Sequence, residues 1–306
     1  MQPLVTIAIP AYKATYLCES IASALTQTYA DIEVIVVNDQ SPADLASIVK
    51  AFNDPRIRYF VNAKNLGAKD PTANWNECLR LAQGEFFCLL CDDDLYAPTF
   101  VEELVRLSER HPDCDVFRSG VRVVDAKGQE TDFFPASPEW ETLEDYMWHV
   151  YRGLRRQTIS EFMLRRSALE KAGGYSSLPY AWGSDYLTIY RLAEEGGIAS
   201  TGLRLTTYRD SGSNLSSDHE NMDDKLLAFK EYIRQTAEMI KERNFAHADK
   251  ILPCIEQHYS QAVVDHMLEA DTEAFFRIIA NPKLFGVTGS ILRRYLIQKL
   301  KTKTKR

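Results

Sequence analysis

The sequence has no hydrophobic run long enough to cross a bilayer, which takes about 20 consecutive apolar residues. It does not open like a secretory signal either, because Met1-Gln2-Pro3 supplies no basic segment and the apolar run that follows is very short. It contains no internal repeat, and its 45% apolar and 26% charged residues form an ordinary globular profile. Collagen and a disordered chain are therefore excluded, and we expect a cytoplasmic protein.

Cysteine is sparse, with six residues spread over 306 positions. Cys88 and Cys91 have the spacing of a metal or redox motif, but they fall in a predicted strand. Successive strand residues point to opposite faces, so residues three apart do not meet on one face. We therefore predict reduced thiols and exclude a disulfide-stabilised miniprotein.

Acidic residues are absent from the end of the chain. Seven basic residues and no acid lie between Arg293 and Arg306, and because the net charge is −7, the remainder carries −14. An acidic body argues against a nucleic-acid binder, whereas the basic end favours a local anionic partner.

Apolar residues around this basic end recur at helical spacing: Val287, Ile291, Leu292, Tyr295, Leu296 and Leu300. The spacing predicts that they share one face of a helix. Two interpretations stay open for this helix. It docks on the protein, or it makes a peripheral contact with anionic lipid at the inner face of the membrane.

The first hundred residues alternate between apolar, β-branched runs and amphipathic helical patterns. The runs predict strands over 4–9, 32–37, 57–61 and 86–91, and the patterns predict helices over 16–27, 43–52 and 71–82. Asp70 is a plausible N-cap for the last of these helices. Such alternation predicts an α/β protein with a mostly parallel, Rossmann-like sheet covered by helices on both faces. From residue 218 onward the pattern is helical.

Polar clusters follow three of the predicted strands. Pro10-Ala11-Tyr12-Lys13 follows the first, Asn38-Asp39-Gln40-Ser41 the second, and Asp92-Asp93-Asp94 the fourth. Parallel sheets bind ligands beyond the carboxyl ends of their strands. Adjacent carboxylates repel one another unless a cation lies among them, and Mg²⁺ and Mn²⁺ prefer carboxylate oxygens. A solvated turn is the alternative for the three aspartates, and an Asx-turn for Asp39.

In this order, the elements resemble those of the family 2 glycosyltransferases with the GT-A fold. The matching segments are 5–12, 36–41, 65–67, 74–76, 82–85, 92–94 with Pro98, 173–175, 184–185 and 208–209. They are similar to the family's opening strand, its VDDGS element, its NxG, ARN and AxGE stretch, its aspartate motif and its later landmarks. The resemblance covers about residues 4–216. It implies a catalytic domain over 1–216, with a nucleotide-binding half (1–111) and an acceptor half (112–216), before a helical region over 217–306.

The resemblance implies an inverting, metal-dependent transfer of a sugar from a nucleoside diphosphate, expected to be UDP, to a glycan or lipid-linked acceptor. By alignment on Pro98, Asp93 takes the position that binds Mn²⁺ or Mg²⁺, with Asp94 and His219 as further candidates. The donor nucleotide is expected against residues at the strand ends and in the loop after the third strand: Pro10, Ala11, Tyr12, Asp39, Asn65 and Asp92.

The resemblance also assigns Asp185 as the general base that takes the proton from the acceptor hydroxyl. A helix N-cap is the alternative interpretation of this residue. Trp182 and Arg209 are the candidates for contact with the acceptor.

Four positions depart from the family pattern: Trp75, Cys91, Ser184 and Ser211. These departures motivate a competing function, a non-catalytic sugar-nucleotide-binding or membrane-associated scaffold protein, although Asp39, Asp93 and Asp185 oppose it. A nucleotidyltransferase is the lesser alternative, because the loop over 10–15 has no glycine to grip a triphosphate.

Overall fold

The computed structural model describes residues 2–212 and 221–303. These residues form two compact units. The first unit holds residues 2–177 and 184–212, and the second holds residues 178–183 and 221–303. The first is built on a β-sheet and the second is mainly helical, so the α/β class with a helical C-terminal region is confirmed.

Parallel strands form one side of the sheet in the first unit. They are β1 (Val5–Ala11), β2 (Ile32–Asn38), β3 (Ile57–Val61) and β4 (Phe86–Leu89), in the spatial order β3-β2-β1-β4. The register of β1 and β2 sets Ala11 opposite Asn38, so these strands end side by side. The polar residues that follow the strands therefore meet at one edge of the sheet, as the sequence predicts.

Strands from later in the chain extend this sheet. They are β5 (Leu95–Tyr96), β6 (Val116–Asp125), β7 (Glu130–Phe133), β8 (Trp140–Glu141), β9 (Phe162–Arg165) and β10 (Ile198–Asp210). β9 lies antiparallel between β4 and β6, β10 runs parallel to β6, and β5 ends the path antiparallel to β10. The sheet is thus mixed, and the strands β1 to β4 form its continuous parallel part.

Helices cover the sheet of the first unit. They are α1 (Leu17–Leu25), α2 (Leu45–Phe52), α3 (Pro71–Leu81), α4 (Phe100–Arg110), α5 (Leu143–Tyr151), α6 (Arg166–Lys171) and α7 (Ser184–Leu192). The side chain of Asp70 accepts a hydrogen bond from the Thr72 N–H, which confirms the predicted N-cap of α3.

The core of the first unit lies between the parallel strands and their helices. Every residue of β2 is buried, as expected for a strand with helices on both faces. Ile7, Val34, Ile21 and Leu104 belong to one buried cluster that joins β1 and β2 to α1 and α4. Burying a leucine or isoleucine side chain contributes roughly 1.5–3 kcal/mol, so this packing fixes the positions of the strand ends.

The second unit is a group of helices: α8 (Met222–Glu242), α9 (Ala248–Glu269), α10 (Thr272–Ala280) and α11 (Gly289–Lys303). Leu226, Val263 and Ile278 lie in its buried cluster. Its helices are also tied by charge, because the Asp223 carboxylate of α8 contacts His266 of α9 and Arg277 of α10.

The apolar face predicted for the last helix is only partly covered by the protein. Ile291 and Tyr295 are buried in the cluster of the second unit, whereas Leu292, Leu296 and Leu300 are exposed. The apolar stripe read from the sequence is wider than the side of α11 that packs on the other helices, so only one margin of it is covered.

All six cysteines are free thiols, as predicted. β4 ends at Leu89, so Cys91 lies in the loop after the strand. Within the described ranges, no helix is both long enough and apolar enough to span a membrane.

Candidate active site

Asp92 is held by the loop that follows β1. Its Oδ2 accepts hydrogen bonds from the backbone N–H groups of Tyr12 and Lys13, at 2.8 and 2.7 Å. Burial raises the pKa of Asp92 to about 6, against the opposite effect of these two donors. Pro10 and Ala11 are the last residues of β1 and lead directly into this contact. The loops after β1 and β4 are thus locked together.

Asp93 lies beside a cation supplied by the chain itself. Lys13 Nζ is 3.1 Å from Asp93 Oδ2. Burial lowers the pKa of Lys13, but the negative charges of Asp93 and Asp92 outweigh it and the net shift is upward. Lys13 is not among the site residues that the sequence predicts, although its position next to Tyr12 at a strand end is a signal.

A divalent cation at Asp93 would find few protein ligands. Within the described part of the chain, no three His, Cys, Asp or Glu side chains are grouped to hold a metal, and His219 lies outside that part. Asp92 and Asp94 already accept hydrogen bonds from the protein. Mg²⁺ in phosphate sites takes one or two carboxylates and completes its shell with substrate oxygens and water. The residues therefore fit a cation that enters with a diphosphate, and not one held by the protein alone.

Asp94 is buried in the protein. Its Oδ2 accepts a hydrogen bond from the Ser160 hydroxyl at 2.6 Å, and its Oδ1 accepts one from the Arg209 N–H at 3.0 Å. Burial, followed by the charge of Asp93, raises the pKa of Asp94 to about 7, although the donors from Ser160 and Arg209 lower it. Both carboxylate oxygens are thus used to anchor the loop after β4.

Asp39 organises the loop that follows β3. Its Oδ1 accepts hydrogen bonds from Asn62 Nδ2 at 2.7 Å and from the Leu66 N–H at 2.8 Å, and its Oδ2 accepts one from the Gly67 N–H at 2.7 Å. A Cβ at Gly67 would lie 3.0 Å from that Oδ2, so glycine permits the close approach. In the same loop, the Asn65 side chain accepts a hydrogen bond from the Ala68 N–H. These donors occupy three of the roughly four acceptor positions of a carboxylate.

Asp185 lies in the first turn of α7 and is partly exposed. Gln157 Nε2 donates to Asp185 Oδ2 at 3.1 Å, and the Tyr146 hydroxyl donates to Gln157 Oε1 at 2.8 Å. The tyrosine thus orients the amide with its nitrogen toward Asp185. Burial among the surrounding residues raises the pKa of Asp185, and the hydrogen bond from Gln157 acts in the opposite direction. A carboxylate that is reachable and has a raised pKa is suited to accept a proton.

A short segment, residues 157–161, connects Asp185 to the loop after β4. It includes Gln157 and a 3₁₀ turn over Ile159–Glu161. Within it, the Ser160 hydroxyl donates to Asp94 and accepts from the Cys91 N–H at 3.1 Å. Sequence reasoning missed this segment, because these contacts span 28 to 69 positions and leave no local pattern.

A buried ion pair supports the 157–161 segment. Glu161 Oε1 lies 2.5 Å from Arg118 Nη2, and both side chains are almost fully buried. The Arg118 guanidinium lies 5.3 Å from the ring centre of Tyr146. Burial raises the pKa of Glu161 to about 7, although Arg118 acts in the opposite direction. The segment is therefore supported by an ion pair enclosed in the protein.

The two residues predicted to contact an acceptor lie in different units. The Arg209 side chain is buried in the first unit, where its Nε donates to the Asp93 carbonyl at 3.1 Å and its Nη2 lies 2.7 Å from Glu19 Oε2. Trp182 belongs to the second unit, where Lys225 Nζ is 5.4 Å from its ring centre. Arg209 thus supports the loop after β4 in this structure.

The family of the chain follows from comparison with known proteins. The sequence model of the family described as Glycosyl transferase family 2 matches residues 6–173, which is more than half of the chain. The chain belongs to the family 2 glycosyltransferases. The matched range includes Asp39 and all three aspartates after β4, so the resemblance inferred from the motifs is confirmed.

Relatives with similar sequences are also named as glycosyltransferases. An uncharacterized glycosyltransferase of Rickettsia typhi is 37% identical over 133 residues, which is 43% of this chain and 40% of that protein. An uncharacterized glycosyltransferase of Haemophilus influenzae is 25% identical over 257 residues, covering 80% of this chain and 74% of that protein. The match to the Rickettsia typhi protein thus spans less than half of its length.

A solved structure confirms the fold. The crystal structure of residues 1–349 of S. aureus TarS in complex with UDP-GlcNAc has a TM-score of 0.67 at 17% identity, over 95% of this chain and 81% of that chain. The GT-A fold predicted from the sequence is therefore confirmed.

Proposed function

We propose that this glycosyltransferase moves a sugar from a UDP-sugar to a glycan or lipid-linked acceptor with inversion at the anomeric carbon. The observation that carries the proposal is the placement of its carboxylates. Asp92 and Asp93 end a parallel strand beside the loop after β1, and residues 157–161 connect that loop region to Asp185, whose pKa is raised. The UDP-GlcNAc complex of TarS, which has a similar fold, supports UDP as the nucleotide.

The donor nucleotide is proposed to lie at the ends of β1 and β2. Asp39 has an acceptor position left for the N3–H of uracil, since three described donors use the others. Asp92 is fixed by two N–H groups and faces the ribose and the sugar in this proposal. Pro10, Ala11 and Tyr12 would line the base, and Asn65 would shape the loop that closes on it.

The diphosphate is proposed to lie against Asp93 and Lys13. Mn²⁺ or Mg²⁺ bound there with the donor would supply the positive charge that stabilises the departing diphosphate. Lys13 places a second positive charge at the same end of the sheet. Asp93 would exchange its contact with Lys13 for the incoming cation.

Asp185 is proposed as the general base. It would accept the proton of the acceptor hydroxyl while that oxygen forms its bond to the anomeric carbon and the bond from the anomeric carbon to the diphosphate breaks. UDP leaves with the bonding electrons, and one direct displacement inverts the configuration. Gln157 would hold the carboxylate in place during the transfer.

The acceptor and the location are proposed from the sequence. Trp182 is proposed to stack on an acceptor sugar ring, and Arg209 is proposed to act on the acceptor through the loop after β4 that it supports. A cytoplasmic location suits these roles, at the inner face of the membrane when the acceptor is lipid-linked.

A non-catalytic sugar-nucleotide-binding protein is the second candidate. The Lys13–Asp93 ion pair favours it, because the carboxylate proposed to bind a metal already lies 3.1 Å from a lysine ammonium. No feature of the described residues favours a nucleotidyltransferase. The two candidates differ in turnover and not in nucleotide binding.

Release of UDP from a panel of UDP-sugars tests the proposal. We expect Mn²⁺-dependent release with at least one sugar, and a decrease of about 10²–10⁴-fold in the Asp185→Asn variant, since that is the usual contribution of a general base. UDP affinity should not change. Asp113→Asn, at an exposed loop position, is the matched control. A wild-type protein that binds UDP and turns over none of the sugars would instead support the second candidate.

A further inference from the structure

We propose that the exposed side of α11 binds the surface of an anionic lipid bilayer. This side, called here the α11 surface, consists of Leu292, Arg293, Leu296, Ile297, Leu300 and Lys301. The proposal concerns the second unit alone and does not depend on the proposed reaction.

The α11 surface is apolar where a surface helix is normally polar. Leu296, Ile297 and Leu300 are 58%, 45% and 67% exposed. Leu292, Leu296 and Leu300 are spaced by four residues, so they follow one another along the same line of the helix. An ordinary amphipathic helix turns its apolar stripe to the core and its polar residues outward. α11 therefore presents apolar side chains that the described protein does not cover.

The helix is nevertheless anchored by its other side. Ile291 and Tyr295 are each 3% exposed and belong to the buried cluster of the second unit. The Lys299 side chain contacts the Tyr295 hydroxyl and lies 5.4 Å from the ring centre of Phe275 in α10. A helix fixed in this way holds its exposed leucines in place, so they form a preformed surface.

Positive charge is interleaved with these leucines. At about 100° per residue, Arg293 falls between Leu300 and Ile297 around the helix, and Lys301 lies at the margin beyond Ile297. Both basic residues are exposed, and no Asp or Glu occurs after Glu273 in the chain. Long basic side chains bury their stems against apolar groups while their charged ends reach outward. The α11 surface thus combines apolar side chains that can insert into a bilayer with basic side chains that attract anionic lipid, as interfacial helices do.

The distribution of charge along the chain indicates which partner the α11 surface binds. The whole chain has a net charge of −7, so an anionic bilayer repels most of it and attracts this end. A second copy docked on the same surface would bring Arg293 and Lys301 against their own counterparts, and like charges oppose such a contact. A bilayer rich in phosphatidylglycerol satisfies both the apolar and the basic parts.

Co-sedimentation with vesicles tests the proposal. The probes are phosphatidylcholine vesicles with one third phosphatidylglycerol, and vesicles of phosphatidylcholine alone. We expect the wild type to bind the first strongly and the second weakly. Arg293→Gln with Lys301→Gln should weaken binding about 25-fold, from about fivefold for each basic residue near an anionic surface. Leu296→Ser with Leu300→Ser should weaken it at least as much, because the inserted area is lost.

The controls separate the surface from the fold. Leu203→Ser replaces a leucine that is 50% exposed in β10 of the first unit, and it should leave vesicle binding unchanged. Each variant replaces exposed residues, so its thermal unfolding midpoint should match that of the wild type. Wild-type binding that is equal on both vesicles, or unchanged in both double variants, would overturn the proposal. So would concentration-dependent dimers that the variants abolish in the absence of vesicle binding. Because the assay holds no sugar nucleotide, its failure would leave the proposed reaction untouched.

Discussion

Residues 1–111 and residues 112–212 hold their carboxylates in different ways. In the first stretch, Asp92 and Asp39 accept hydrogen bonds mostly from backbone N–H groups of loops at the strand ends. In the second, the largest hydrogen-bond contribution at Asp185 comes from the side chain of Gln157, which Tyr146 orients in turn, and backbone N–H groups of the same helical turn contribute less. Backbone donors depend on the path of the chain, whereas side-chain donors depend on single residues. We therefore expect changes in the loops to weaken binding of the donor nucleotide. Single substitutions around Asp185 should instead change the pKa of its carboxyl group.

Among the substitutions that test this contrast, the largest effect is expected from Asp39→Asn. An asparagine keeps the shape but loses the charge that the Leu66 and Gly67 N–H groups and the uracil would share. Hydrogen bonds to a charged group are worth about 1.5–3 kcal/mol, so UDP affinity should fall by about 10- to 100-fold in calorimetry. Asp44→Asn, at the exposed N-cap of α2, is the control and should bind UDP as the wild type does. Equal affinities of the Asp39 variant and the wild type would contradict the assigned role.

Asp94→Asn should change how stability depends on pH. The folded-state pKa of Asp94 is raised to about 7, so its contribution to the free energy of unfolding is present below about pH 4 and is lost as the pH rises through 7. The asparagine of the variant does not ionise, so the variant does not lose this stability as the pH rises. Its stability relative to the wild type should therefore increase between pH 4 and pH 8, by on the order of 4 kcal/mol for a shift of about three pKa units.

Urea unfolding at both pH values measures this difference. Asp44, whose pKa is lowered by hydrogen bonds from Ser47, is the control of opposite sign. Because the pKa of Asp44 is lowered, Asp44→Asn should lose stability relative to the wild type as the pH rises from about 2 to about 4, and the difference should stay nearly constant between pH 4 and pH 8. If the stability difference between Asp94→Asn and the wild type is the same at pH 4 and pH 8, the pKa of Asp94 is not raised by burial.

Gln157→Leu should shift the pH dependence of turnover. Loss of the Gln157 donor removes an interaction that lowers the pKa of Asp185, so that pKa should rise further and the acidic limb of the kcat profile should move to higher pH. On the acidic limb we expect kcat of the variant to fall below that of the wild type, and the two profiles should converge at higher pH, where Asp185 is ionised in both. Tyr146→Phe should produce a smaller shift in the same direction. A uniform decrease at every pH would assign Gln157 a merely structural role.

The smallest effect is expected from Lys13→Met. The variant removes the ammonium that competes for Asp93, so Mn²⁺ should bind more tightly in the absence of nucleotide. The pair is partly exposed, and such pairs are worth up to about 1 kcal/mol, so the gain should not exceed about fivefold. Electron paramagnetic resonance of free Mn²⁺ measures it. Weaker Mn²⁺ binding in the variant would contradict the competition between Lys13 and the cation.

The same contrast explains what the sequence could predict. The strands β1 to β4, the N-cap Asp70 and the position of Asp39 and Asp92 after parallel strands of one sheet follow from local periodicity and from the rule that parallel strands end at one edge. The contacts of Gln157 and Ser160 are long-range side-chain contacts with no periodic signal. The buried side of α11 also depends on which neighbours pack there, which helical spacing alone does not specify.

A calorimetric titration of UDP, with and without Mn²⁺, tests the assignment of the donor site most directly. We predict that Mn²⁺ tightens UDP binding in the wild type, and that Asp93→Asn abolishes this gain while preserving the weaker binding without metal. UDP that binds in neither condition would contradict the placement of the nucleotide at Asp39, Asp92 and Asp93.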